Sequence, residues 1–257
     1  MIPFATLLDK LVFTPQRTAK LTLMEEYFCK VPDPDRGCGL AALTGTLSLP
    51  HAKPSVVRTL TAARADPYLF ALSYDFVGDL AETVALLWPA ARTSAGSPSI
   101  TEVVETLRSV DRSRVPFVLE GWLDALDASG RYALLKLVTG ELRVGVSARL
   151  AKIALARLGR TDVSVIEEMW HGLDPPFINL FAWLEGRAPP PTIAASATFR
   201  PLMLANPLAE EDLARLCPSE YVAEWKWDGI RVEIVDLDGG RAFYSRSGDD
   251  LPTRFRS

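Results

Sequence analysis

The sequence is poor in the residues that staple or metallate small domains. Its three cysteines, Cys29, Cys38 and Cys217, are odd in number and far apart, which argues against a disulfide framework or zinc cluster and makes a reducing cytoplasm the expected location. Its two histidines, His51 and His171, are isolated, so neither is expected to serve as metal ligand or general base. No stretch approaches the roughly twenty apolar residues that span a bilayer. The opening MIPFATLLDKLVF carries Asp9 and Lys10 inside its apolar run, unlike a secretory signal. A Walker-type phosphate loop and internal repeats are lacking too. The string from Gly37 to Ala42 superficially matches a dinucleotide fingerprint, but it follows a Pro/Asp loop instead of a strand, so no dinucleotide site is expected. Net charge is also small, at −4 from 28 basic and 32 acidic side chains. Such a sum argues weakly against a nucleic-acid partner and can hide a local patch.

What remains is ordinary globular material. The 257 residues are 48% hydrophobic and 23% charged, enough for one large domain or two moderate ones and unlike a disordered chain. From residue 3 to about 186 the reading is helical. Pro15 to Val31 places Leu21, Met24, Tyr27 and Phe28 at helical spacing. Pro54 suits the first turn of a helix running to Arg64. Asp79 is an expected N-cap with Glu82 in capping-box position, and Pro89 stops that helix. A small-residue loop is expected between Ala90 and Pro98. Val115, Val118, Leu119, Trp122 and Leu126 form one stripe; Leu134, Leu135 and Val138 belong to another helix. Ser147 is expected to cap a helix that Gly159 ends.

The texture changes near residue 187. Residues 187–198 form a proline-rich linker opened by Arg187-Ala-Pro-Pro-Pro191. Beyond it the apolar period becomes two. Tyr221 to Trp227 predicts one strand, Asp228-Gly229 a hairpin turn, Ile230 to Val235 a second strand, Gly239-Gly240 another turn, and Ala242 to Tyr244 the start of a third strand. The expectation is therefore multidomain: an all-α domain over 1–186, then the opening of an α/β domain with an antiparallel sheet over 199–257. About 55 residues make a thin core, so this opening is expected to belong to a larger domain.

Two constellations carry chemistry. The first is Glu224-Trp-Lys226-Trp-Asp228-Gly229-Ile-Arg231, a K-x-D-G-x-R pattern that arises by chance in fewer than about one such chain in a hundred. A lysine ammonium, with a pKa of about 10.4, cannot attack phosphorus until nearby cations favour the neutral amine. Arg231, and Arg246 from the next strand, would supply those cations and grip phosphate oxygens bidentately. The bland alternative is a solvated lysine on a hairpin. The second constellation is cationic. Between Arg131 and Arg160 lie seven basic residues and one acid, Glu141. Thr139-Gly140 ends one helix and Ser147 starts the next. Arg143 and Gly145 lie between them, where backbone amides and an arginine would seat a phosphate. Such contacts follow the backbone without reading sequence. The alternative is a capped helix pair with a solvated basic face.

These strings resemble the ATP-dependent DNA ligases, specifically the bacterial three-domain type. E-x-K-x-D-G-x-R looks like their nucleotidyltransferase motif, and Ser245-Arg246-Ser-Gly-Asp-Asp-Leu251 like the motif that follows. Val77-Gly78-Asp-Leu-Ala-Glu-Thr83 and the run from Lys136 to Ser147 are similar to their N-terminal DNA-binding domain. The resemblance covers nearly all of this chain and about the first half of a family member.

The resemblance implies a three-step reaction that seals nicked double-stranded DNA, with ATP and Mg2+, in DNA repair, replication and recombination. Lys226 would form a phosphoramide with AMP, AMP would pass to the 5′-phosphate, and the 3′-hydroxyl would displace it. Glu224 would recognise adenine. Arg231 would sit near the ribose and phosphates, and Arg246 near the phosphates or the nick ends. Lys136, Thr139, Gly140, Arg143, Gly145, Ser147 and Gly78 would contact DNA. The expected protein is monomeric, cytoplasmic and nucleoid-associated, without membrane contact or a dedicated protein metal site. The later motifs and the C-terminal OB-fold domain are not found here, so this chain is expected to bind DNA without completing ligation. The alternatives are a DNA-binding module without catalysis, or another lysine nucleotidyltransferase such as an RNA ligase or capping enzyme.

Overall fold

The structure, a computed structural model, describes residues 1–89, 96–140, 142–193, 199–200, 207–225, 227–237, 240–246, 248 and 251. Most of the expected loop at 90–98 and the linker residues 194–198 lie outside them. The chain is mostly helical, with one small antiparallel sheet. Among the described residues no helix is long and apolar enough to cross a membrane.

The chain divides into two compact units, one of residues Met1–Val163 and Asp174–Pro191, the other of Ser164–Leu173 and Thr192–Ser257. The first contains α1 (Ile2–Phe13), α2 (Arg17–Lys30), α3 (Asp35–Leu43), α4 (Pro54–Arg64), α5 (Pro67–Val77), α6 (Leu80–Leu87), α7 (Ile100–Ser109), α8 (Val115–Ala125), α9 (Ala128–Thr139), α10 (Ala148–Leu158) and α12 (Ile178–Leu184). α11 (Val163–Met169) leads into the second unit. Local chemistry sets these bounds. Asp66, Asp79, Ser99, Asp127 and Ser147 each accept an N-terminal amide of the helix they precede, offsetting orphan donors. Gly78 and Gly140 end α5 and α9 in the left-handed conformation, as glycine readily does.

The middle of the first unit is α9. Ala133, Leu134, Leu135, Leu137 and Val138 are all buried, because α1 and α6 pack against this helix. α1 and α10 in turn pack on α2. Arg131 at the start of α9 is buried too, and donates to the carbonyls of Leu123, Trp88 and Pro89 at 2.7, 3.2 and 3.0 Å. It thereby satisfies backbone acceptors at the C-terminal ends of α8 and α6. The pseudo-fingerprint from Gly37 to Ala42 is inside α3. Its glycines serve close packing: a Cβ at Gly37 would lie 1.6 Å from the Pro176 carbonyl oxygen, and one at Gly39 would lie 2.4 Å from the Tyr27 hydroxyl.

In the second unit, β1 (Val232–Leu237) pairs antiparallel with β2 (Gly240–Ser245), and a short helix, α13 (Glu210–Leu213), lies between α11 and this ribbon in the chain. Glu233 and Val235 share a face with Tyr244 and Ala242. Tyr244 stacks on His171 with centroids 4.3 Å apart and meets Phe199 edge-on at 5.7 Å. This cluster groups Ser164–Leu173 with the second unit, although the apolar period alone places that segment in the helical domain. The expected strand at 221–227 is a correction. Tyr221 to Trp225 and Trp227 take no regular structure and are exposed. A period of two marks a strand only when something pairs with it, and among the described residues nothing does. The Asp228-Gly229 hairpin consequently does not form, and the chain only bends at Gly229. Gly240 belongs to β2, opposite Leu237; Gly239 lies outside the described residues.

Candidate nucleic-acid interface

The turn between α9 and α10 reverses the chain through three left-handed residues, Gly140 at φ 72°, Arg143 at 47° and Gly145 at 65°. An arginine in that region is uncommon, and such strain concentrates where surroundings hold it. Here the holding group comes from α2. Lys20 is 8% exposed, and its Nζ donates to the carbonyls of Val144 at 2.6 Å and Gly145 at 3.0 Å. Ser147 then accepts the Leu150 amide at 3.2 Å and opens α10. Arg143, Gly145, Ser147 and Arg149 are exposed and, with Arg17 and Lys20, line a cleft of about 820 Å³.

A second cleft, of about 300 Å³, lies beside it, and Arg143 lines both. Here Gly78, Asp79, Lys136 and Thr139 meet Arg58 and Tyr74. Arg58 lies over the Tyr74 ring at 4.4 Å and donates to its hydroxyl at 2.9 Å. Asp79 accepts the Glu82 amide at 3.0 Å and, with its other oxygen, the Lys136 ammonium at 2.5 Å. Burial alone would raise the Asp79 carboxyl, but Lys136 and the Glu82 and Ala81 amides outweigh it and hold its pKa below the ordinary value. Lys136 is 3% exposed, so it acts on the cleft by fixing Asp79 and the start of α6.

Of the residues singled out by sequence, Gly78, Lys136, Thr139 and Arg143 line the smaller cleft, and Arg143, Gly145 and Ser147 the larger. Gly140 caps α9 between them. The local positive sum needs redistribution. Arg131, Lys136 and Lys152 are buried, and only Arg143, Arg149, Arg157 and Arg160 face out. Arg157 pairs with Glu25 at 3.2 Å. Glu141 lies outside the described residues. Sequence reasoning missed Arg17, Lys20 and Arg58. Lys20 carries a readable signal, because it falls four residues before Met24 on the buried stripe of α2. Arg58 and Tyr74 are on different helices and leave no such trace.

In the second unit Lys226 lies outside the described residues. Glu224, Arg231 and Arg246 are exposed. The ribbon register sets Val232 opposite Ser245, so Arg231, one residue before β1, and Arg246, one residue after β2, flank the same end.

No protein-family model matches this chain, and no curated protein is significantly similar to it. Two adjoining clefts that share an arginine, and a ribbon end carrying two guanidiniums, both suit phosphate oxygens. Among the described residues no group of three or more His, Cys, Asp or Glu is arranged to hold a metal ion.

Proposed function

We propose that this chain is the DNA-gripping and nucleotide-site-opening portion of an ATP-dependent DNA ligase. The observation that carries the reading is the Glu224–Arg231 string followed by a ribbon whose register unites Arg231 and Arg246 at one end. In this reading the neutral Lys226 amine attacks the α-phosphorus of ATP. A P–N bond forms, the bond to pyrophosphate breaks, and the amine's proton goes to solvent. Arg231 and Arg246 favour the neutral amine and hold phosphate oxygens. A 5′-phosphate oxygen at a nick then displaces the lysine from phosphorus, and the 3′-hydroxyl displaces AMP. Magnesium bound with the nucleotide would supply charge neutralisation at the phosphoryl oxygens, beside the Arg231 and Arg246 guanidiniums.

The helical unit supports the same reading through Arg143, Arg149 and Arg17 around one cleft and Arg58 and Arg143 around the other. These contacts would follow backbone phosphates without regard to sequence, as an enzyme that meets breaks anywhere requires. A second reading, a DNA-gripping chain without adenylation, is favoured by one observation. Trp225 and Trp227 are 85% and 83% exposed, whereas an assembled nucleotide pocket would cover its flanking aromatics.

Intact-protein mass after incubation with ATP and magnesium tests the proposal. The expected result is a gain of one AMP in the wild type and none in Lys226→Ala, with nicked-duplex binding equal in both. An adduct that survives the substitution refutes Lys226 as nucleophile. Duplex binding without any adduct selects the second reading.

A further inference from the structure

We propose that Lys20, on α2, is the positioning residue of the phosphate-binding turn, acting through the turn's carbonyls. The inference rests on the DNA-binding reading above and deepens it. The turn is remote in sequence from α2, yet the Lys20 ammonium is buried against it and spends two donors on the Val144 and Gly145 carbonyls, at 2.6 and 3.0 Å.

The peptide plane turns this bond into a consequence on the other side. The cis bonds of the described chain are Asp33-Pro34 and Pro175-Pro176, so the peptides following Val144 and Gly145 are trans. In a trans peptide the C=O and N–H point in opposite directions. Drawing the carbonyls of Val144 and Gly145 inward onto Lys20 therefore turns the amides of Gly145 and Val146 away from it, toward the outer side of the turn. Lys20, Arg143, Gly145, Val146 and Ser147 all line the larger cleft. Successive outward amides with alternating backbone handedness make an anion-binding concavity, and a phosphodiester oxygen is the ligand class they suit. The ammonium, held on the carbonyl side of the same peptides and lining the same cleft, adds a positive field there.

Gly145 reads the contact from the opposite side. A Cβ there would come within 2.5 Å of the Lys20 Nζ, and its φ of +65° is already unfavourable for any L side chain. Glycine at 145 is what lets the lysine reach both carbonyls.

The test uses the full chain and a nicked duplex of mixed sequence. Lys20→Met, an apolar near-isostere, and Gly145→Ala attack the same contact from its two ends. Amide hydrogen exchange is read at residues 143–149, and duplex affinity is read across salt, in wild type, each single variant, Arg143→Ala, and Lys20→Met with Arg143→Ala. The expected result is faster exchange of the Gly145 and Val146 amides in both single variants. Affinity should fall roughly three- to tenfold, with the salt slope lowered by about 0.9, the signature of one lost phosphate contact. In the Arg143→Ala background Lys20→Met should add little, since both act through one turn. A merely structural lysine would lower the melting temperature without this non-additivity or slope change, and that outcome overturns the proposal. Unchanged exchange in both variants overturns it whatever the DNA does. Absence of duplex binding by the wild type instead refutes the DNA-binding reading, and Lys20's role in it with it.

Discussion

Removing the Asp79 carboxylate should destabilise the helical unit more than removing its partner Lys136. The two side chains are unequally buried, at 25% and 3% exposure. Asp79→Asn keeps a competent N-cap but leaves an ammonium buried without its anion. Stranding one member of a buried pair costs about 3–5 kcal/mol, and Asp79's partial exposure lowers the expectation to about 2–3 kcal/mol. For a unit of this size that is a fall of roughly 5–10 °C in melting temperature. Lys136→Met leaves Asp79 on the Glu82 amide and in reach of water, and should cost only about 1 kcal/mol. Urea unfolding at pH 7 of wild type, both singles and the double variant measures the coupling. The pH dependence supplies an independent check. Asp79 titrates below its ordinary range, so its contribution is complete above the unfolded-state value near 3.9 and is lost as pH falls through the folded-state value. The gap between wild type and Asp79→Asn should hold from pH 7 to 5 and close below about pH 4. A gap that persists in acid, or a Lys136→Met variant less stable than Asp79→Asn, would refute the reasoning.

Two further outcomes are expected. Arg143→Ala should weaken duplex binding and lower its salt slope by about one unit; an unchanged slope in a salt titration removes Arg143 from the phosphate contacts. Glu185, bonded to Arg36 and Arg187, has its carboxyl held down at about 2, chiefly by Arg36. Its stabilisation is therefore present above about pH 4.5 and fades as pH falls toward 2. Glu185→Gln should flatten that acid limb of the melting profile, and an unaltered limb counts against the pair.

How much of this was legible in the sequence depended on range. The caps at Asp79 and Ser147, the Pro54 start and the Gly140 stop are decided within four residues, and each was readable as a local competition between side chain and backbone. The strand at 221–227 was not, because its alternation was real while its hydrogen-bond partner is a fact about another segment. The clefts show the same divide. Gly78 and Arg143 could be named separately, one from each flanking string, but their meeting depends on how α6 packs on α9. The buried cations were the deeper misreading. Counting Arg131, Lys136 and Lys152 toward a surface charge assumed exposure, whereas these side chains are drawn inward, Arg131 by backbone carbonyls and Lys136 by a carboxylate.

The helices flanking the smaller cleft differ in how they are held. α9 is buried over its C-terminal half, while none of the side chains of α5 is fully buried, and Phe76 and Leu72 stand 93% and 51% exposed. That helix is held by its Asp66 and Gly78 caps, by the Arg58–Tyr74 contact and by packing on α6. Its amides should exchange through local opening, those of α9 only through global unfolding. The cleft thus has one stiff wall and one compliant wall, and under the proposed DNA-binding reading a bound backbone would meet a surface that yields on the α5 side while α9 keeps its register.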